Sequence, residues 1–133
     1  MSAAALPPSK VLVVDDNPQN LELLEAYLEE VGGLTVLRAM NGPEALRQVA
    51  HNAPDLILLD IMMPRMSGFE VCKKIKADPA TRHIPIIMVT ALHEVGDVER
   101  SVEVGADDFV SKPVNRQDLL ARVMGLLRKR HEA

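Results

Sequence analysis

The segment Leu56-Ile57-Leu58-Leu59-Asp60 decides the fold, because four consecutive apolar residues lead directly into a carboxylate. A strand with one solvated face alternates apolar and polar residues, whereas an uninterrupted apolar run is typical of a strand that is covered on both faces. The segment therefore predicts a central strand of a parallel sheet, with Asp60 at the carboxyl end of that strand.

Similar apolar runs recur along the chain with helical patterns between them. The runs occupy residues 11–14, 34–37, 56–59, 84–89 and 109–110. Apolar residues at helical spacing predict a first helix over residues 21–31, and a second helix follows Asn41-Gly42-Pro43. Further helices are predicted over about residues 69–76, 97–104 and 116–128. This alternation predicts an α/β fold with a doubly wound parallel sheet.

The bulk composition bounds the class of protein. A chain of 133 residues with 47% hydrophobic and 26% charged residues predicts one globular domain, and 2% aromatic residues predict an aliphatic core. The net charge of -4 argues against direct binding to nucleic acid or to an anionic membrane. A single cysteine, no secretion signal and no apolar stretch of about 18 residues predict a cytoplasmic protein.

The predicted domain boundaries follow from these patterns. Residues 1–8 are expected to be a flexible leader, and residues 9–128 are expected to form the domain. Residues 129–133 form either a basic tail or the start of a linker toward a C-terminal output domain.

Polar residues follow four of the apolar runs at the point where each predicted strand ends. They are Asp15, Asp16, Asp60, Thr90 and Lys112. Ligands of open α/β sheets bind beyond the carboxyl ends of the strands, so these side chains are expected to converge on one site.

Convergence of three carboxylates requires a cation or raised pKa values. Two carboxylates about 4 Å apart repel each other by roughly 4 kcal/mol at an effective dielectric near 20. An all-oxygen site favours Mg²⁺, since the sequence has neither a calcium-binding loop nor a cluster of zinc ligands. Asp60 could then act as a nucleophile toward phosphorus, with Lys112 and Thr90 meeting the phosphoryl oxygens.

Each of these residues also has a plain structural interpretation. Asp15 and Asp16 could cap the first helix, Thr90 could simply end a strand, and Lys112 could be a solvated loop residue. Phe109 could serve only in core packing.

Two other functions remain open on the residues alone. A phosphohydrolase with an aspartate nucleophile commonly has a second aspartate two residues later, where this chain has Met62. A flavodoxin-like nucleotide-binding module needs backbone donors after the first strand, whereas Asp15-Asp16-Asn17-Pro18 offers two anions and lacks one donor.

Four ordered segments carry a resemblance to a known family. They are VLVVDD at residues 11–16, LLDIMMPRMSG at residues 58–68, VTA at residues 89–91 and GADDFVSKP at residues 105–113. In order and spacing they resemble the signatures of the response-regulator receiver domain, the CheY-like superfamily of bacterial two-component systems. The resemblance covers about residues 10–127 and implies a flavodoxin-like (βα)5 sheet with strand order 2-1-3-4-5.

The resemblance implies roles for the residues at the acidic site. Asp60 would be phosphorylated by a sensor histidine kinase, a phosphotransfer protein or a small phosphodonor. Asp16, Asp60 and the backbone carbonyl of Met62 would hold Mg²⁺, with Asp15 acting directly or through water. Lys112 would bind a phosphoryl oxygen, and its peptide bond to Pro113 is expected to be cis.

The resemblance also implies a switch and not an enzyme that turns over a small substrate. Thr90 and Phe109 would be the switch pair. Their movement would change the face formed by the fourth helix, fifth strand and fifth helix, for partner binding or phosphorylation-dependent homodimerisation. The protein would catalyse only its own phosphorylation and dephosphorylation. Met62 and Leu92 flank the family's path for the hydrolytic water, and their apolar side chains predict slow self-dephosphorylation.

Overall fold

The structure, a computed structural model, describes residues 7–91 and 95–132, with the side chains of residues 95–97 left aside. The predicted leader up to residue 6 and the predicted role of Leu92 lie outside these residues.

Strands and helices alternate along the described chain, as the sequence predicts. The strands are β1 (Ser9–Val14), β2 (Leu34–Ala39), β3 (Leu56–Asp60), β4 (Ile86–Thr90) and β5 (Asp108–Ser111). The helices are α1 (Pro18–Glu29), α2 (Gly42–Asn52), α3 (Gly68–Ala77), α4 (Val95–Glu103) and α5 (Arg116–Glu132). All strand pairs are parallel, and the order in the sheet is β2-β1-β3-β4-β5. The predicted fold class and strand order are confirmed.

Two apolar clusters cover the two faces of the sheet. The α2–α3 cluster includes Leu12, Ala45, Val49, Ile57, Leu59, Val71, Cys72 and Met88. The α1–α5 cluster includes Val13, Leu21, Leu24, Leu28, Leu58, Val89, Leu119 and Val123. Successive strand residues point to opposite faces, which is why β3 needs apolar residues at every position before Asp60. Burial of each such aliphatic side chain contributes about 1.5–3 kcal/mol to stability.

The fourth strand begins later than the sequence predicts. Regular pairing starts at Ile86, whereas the apolar run starts at Ile84. Pro85 lies between them and has no N–H group to donate to a neighbouring strand. The Pro85 carbonyl instead accepts a hydrogen bond from the Ile57 N–H at 3.0 Å, so this residue still contributes to the edge of the pairing with β3.

The last helix continues past its predicted end near residue 128 to Glu132. Two contacts hold its final turn against the amino ends of the strands. Arg130 Nε lies 3.3 Å from Asp55 Oδ1, and His131 Nε2 lies 2.9 Å from Ser9 Oγ. Neither α5 nor another helix within the described residues is long and apolar enough to cross a membrane.

Candidate functional site

Three carboxylates meet at the carboxyl edge of the sheet. β1 and β3 are neighbours with Val14 opposite Leu59, so the residues that follow them emerge side by side. Carboxylate oxygens of Asp15, Asp16 and Asp60 all lie within 4.8 Å of one another. The predicted convergence of these side chains is confirmed, and we call the group the acidic pocket.

Lys112 supplies the positive charge of the acidic pocket. Its Nζ lies 3.0 Å from Asp15 Oδ2 and 3.6 Å from Asp60 Oδ1. The Lys112 N–H donates to the Thr90 carbonyl at 2.7 Å, which ties the end of β5 to the end of β4. The peptide bond between Lys112 and Pro113 is cis, as the resemblance implies.

Asp15 and Asp16 do not cap the first helix. The cap of α1 is Asn17, whose side chain accepts a hydrogen bond from the Gln19 N–H at 2.8 Å. Asp15 Oδ1 accepts from the Asn17 N–H at 2.9 Å, and its other oxygen faces Lys112. The Asp16 side chain is exposed. The helix start thus holds Asp15 in place, and carboxylate oxygens of both residues lie in the pocket.

Burial and repulsion act on Asp60. Asp15 is 1% exposed and Asp60 is 4% exposed. Burial, and secondarily the charge of Asp15, raise the pKa of Asp60 to about 6, while Lys112 and the Met62 N–H oppose the rise. Three carboxylates against one ammonium leave an excess of negative charge. Their oxygen ligands and this excess fit a hard divalent cation.

The raised pKa of Asp60 predicts a pH-dependent stability without metal. The unfolded-state pKa is near 3.8 and the folded-state pKa is about 6, so ionised Asp60 destabilises the fold above both values. The penalty is at most about 3 kcal/mol and disappears as the pH falls below both values. Asp60→Asn should therefore be more stable than the wild type at about pH 8 and no more stable near pH 4. Urea unfolding in EDTA checks this, and an equal stability difference at both pH values would contradict it.

The loop of residues 61–67 connects β3 to α3, and we call it the acceptor loop. Its Met62 N–H donates to Asp60 Oδ1 at 3.4 Å, and Met62 is 61% exposed. Gly68, at the end of the loop, donates its N–H to the Ile61 carbonyl at 3.0 Å. A Cβ atom on Gly68 would lie 2.2 Å from the Asp60 carbonyl oxygen, so α3 begins against the backbone of Asp60. In the sequence, Gly68 stands out only as part of a motif, and no local pattern indicates this contact.

Gly68→Ala should destabilise the protein. The added methyl group meets backbone atoms that cannot rotate away, and such overpacking typically costs about 1–3 kcal/mol. Gly125→Ala is the matched control, because a Cβ atom at that position of α5 has no neighbour within 4 Å. Urea unfolding should show a loss for the first variant and none for the second. Wild-type stability of Gly68→Ala would show that the start of α3 can shift freely.

Thr90 and Phe109 lie on the strands next to the acidic pocket. Thr90 is completely buried and follows Val89, the residue opposite Asp60 on β4. Phe109 lies on β5 opposite Met88, is half-buried and packs against the α2–α3 cluster. Both residues are therefore near the site, and their roles as a switch pair stay predictions.

Comparisons with known proteins agree with this geometry. The chain matches the response regulator receiver domain over residues 11–124. It is 50% identical over 120 residues to the response regulator PleD of Caulobacter vibrioides, covering 90% of this chain and 26% of PleD. It is 43% identical over 108 residues to the polar-differentiation response regulator DivK of Brucella anthropi, covering 81% of this chain and 87% of DivK.

A solved structure of similar fold agrees with these sequence comparisons. The chain aligns with a response regulator from Chloroflexus aurantiacus at a TM-score of 0.86 and 36% identity, covering 91% of this chain and 98% of that chain. The chain spans only 26% of PleD and 49% of the Bacillus subtilis regulator PhoP, which it also matches. Since the family match nevertheless covers most of this chain, the protein belongs to the response regulator receiver domain family, the signalling modules of two-component systems.

Proposed function

We propose that this receiver accepts a phosphoryl group on Asp60 from a histidine kinase, the kind of partner that the family implies. The observation that carries the proposal is the position of Asp60 in the acidic pocket, 3.6 Å from Lys112. A phosphotransfer protein or a small phosphodonor could supply the same group.

The proposed transfer has a simple balance of bonds. A carboxylate oxygen of Asp60 attacks phosphorus, an acyl phosphate forms, and the bond to the donor's nitrogen or oxygen breaks with its electron pair on the donor. Lys112 faces Asp15 and Asp60, and its ammonium group would stabilise the negative charge that develops on a phosphoryl oxygen. Thr90 would donate its hydroxyl hydrogen to another.

Magnesium is the proposed cofactor of the acidic pocket. Asp15, Asp16, Asp60 and the Met62 carbonyl are the groups that would hold it. Its charge would offset the repulsion among three carboxylates and polarise the phosphoryl group. The donor set supports this choice because it consists of oxygen atoms.

The proposed output is a change of the surface formed by α4, β5 and α5. Thr90 would move toward the phosphoryl group, and Phe109 would turn into the space released. That surface would then bind a partner, a second copy of this chain or a C-terminal output domain. We also propose a cytoplasmic location, where a histidine kinase or a small phosphodonor would reach Asp60.

The test is the intact mass of the wild type after incubation with acetyl phosphate, with and without Mg²⁺. We expect a single phosphoryl adduct that requires Mg²⁺, with acetate as the other product, and that is lost in alkali. A folded, magnesium-binding protein that takes up no phosphoryl group would instead indicate a receiver that signals without phosphate.

The phosphoryl group on Asp60 should be hydrolysed slowly. Met62 carries an apolar, 61% exposed side chain beside Asp60 and cannot orient a water molecule through hydrogen bonds. Replacement of Met62 and Leu92 by Asn should accelerate decay about tenfold or more, because a positioned water attacks faster. The loss of the adduct mass with time measures this rate. Met40→Asn is a control for an exposed methionine in another loop, and unchanged decay in the double variant would contradict the prediction.

A further inference from the structure

The acceptor loop has different surroundings on its two sides. Toward α2, the Met66 side chain fills the space over Gly42, where a Cβ atom would lie 2.5 Å from the sulfur. Toward α4, an open cavity of about 540 Å³ lies beside Met62, Met63 and Pro64 and is bounded also by Phe69 and Arg100. Among the described residues, Arg100 is the residue of α4 that borders this cavity.

Arg100 makes one of those contacts. Its guanidinium carbon lies 4.5 Å from the centroid of the Phe69 ring, a distance typical of a cation–π interaction. Phe69 is 6% exposed and directly follows Gly68, whose backbone abuts Asp60. Leaving aside residues 92–97, no described carboxylate forms an ion pair with Arg100. The contact thus joins α4 to the end of the acceptor loop.

Further contacts join α3 to residues 104–107, just after α4, and they are made farther along α3. Cys72 Sγ donates to the Val104 carbonyl at 3.4 Å, and Lys76 Nζ lies 2.9 Å from Asp107 Oδ2. These contacts do not involve Arg100 and hold the carboxyl end of α4. Loss of the Arg100 side chain should therefore loosen chiefly the amino end of α3, which is the end near the acidic pocket.

We propose that Arg100 is a positioning residue for metal binding in the acidic pocket. By holding the Phe69 ring it fixes the acceptor loop, including Met62, whose N–H contacts Asp60 and whose carbonyl is a proposed metal ligand. The inference rests on the proposed function, because the metal belongs to that proposal. Arg100 is not among the proposed metal ligands and would act through its contact with Phe69.

Magnesium titration by calorimetry tests the proposal on the full chain. Arg100→Met keeps an apolar stem and removes the cation, and it should weaken magnesium binding about two- to fivefold, the range expected for one exposed cation–π contact. Arg100→Lys should restore most of the affinity. Arg47→Met, at an exposed position of α2, is the matched control and should bind as the wild type does. In a Phe69→Leu background, Arg100→Met should cause no further loss.

Hydrogen–deuterium exchange without metal supplies a second measurement. Arg100→Met should speed exchange at the Met62 and Gly68 amides and leave β1 unchanged, whereas general destabilisation would speed exchange everywhere. Wild-type affinity and exchange in Arg100→Met would overturn the inference while leaving the proposed function intact. A wild type that bound no magnesium and took up no phosphoryl group would overturn both.

Discussion

Asp60→Asn will take up no phosphoryl group from acetyl phosphate under conditions in which the wild type is modified. The neutral amide of asparagine is a far weaker nucleophile than a carboxylate. The substitution also removes one of the three negative charges that would hold the metal. We expect the rate of adduct formation to fall at least about a thousandfold, since removal of an enzyme's nucleophile can lower the rate by about 10⁶-fold. Intact-mass measurement over time gives the rate directly.

The matched control for this variant is Asp78→Asn. Asp78 is exposed after α3, and its Oδ1 accepts from the Ala80 N–H at 2.9 Å, a bond that an asparagine can also make. This protein should be modified like the wild type. An adduct of equal size on Asp60→Asn would show that another residue is the acceptor, and peptide mapping would then identify it.

Lys112→Met will lose both stability and phosphoryl uptake. The lysine is the cation that faces Asp15 and Asp60, and Asp15 is almost completely buried. Without metal at about pH 7, we expect unfolding free energy to fall by about 2 kcal/mol, less than for a fully buried pair because Lys112 is partly exposed. Adduct formation should slow about a hundredfold or more, since one donor to the developing phosphoryl charge is gone.

Magnesium should distinguish the effect of Lys112→Met on stability from its effect on phosphoryl uptake. The added cation should offset the missing charge and narrow the difference in stability between the variant and the wild type, while the loss of rate persists. Lys73→Met, at an exposed position of α3, controls for the substitution itself. Chemical denaturation and mass spectrometry measure the two quantities separately. A variant with wild-type kinetics in saturating magnesium would remove Lys112 from the proposed mechanism.

The sequence predicts the fold and the acidic pocket for the same reason. Apolar runs such as Leu56 to Leu59 must be covered on both faces, and the carboxyl ends of parallel strands share one edge. The meeting of Asp15, Asp60 and Lys112 is therefore predictable from the sequence alone. That expectation depends only on local patterns and on the direction of the strands.

Other features depend on contacts between distant residues and could not be predicted in this way. The extension of α5 requires Asp55 to meet Arg130, and no local pattern in the basic end of the chain indicates that pair. The close approach of Gly68 to Asp60 depends on the backbone path of the acceptor loop. The stacking of Arg100 on Phe69 depends on the rotation of α4, whose weak apolar stripe leaves that rotation undetermined.

The division of the core into two clusters has a consequence for how a receiver can be recognised. Strand alternation places Thr90 on the same face as Met88, and Phe109 packs against that same α2–α3 cluster. A rearrangement of these two side chains would begin on that face and reach α5 at the edge of the sheet formed by β5, while the α1–α5 cluster keeps α1 in place. The domain would then have one constant surface, by which an upstream protein identifies it. Its other surface would vary and report whether that protein has already phosphorylated Asp60.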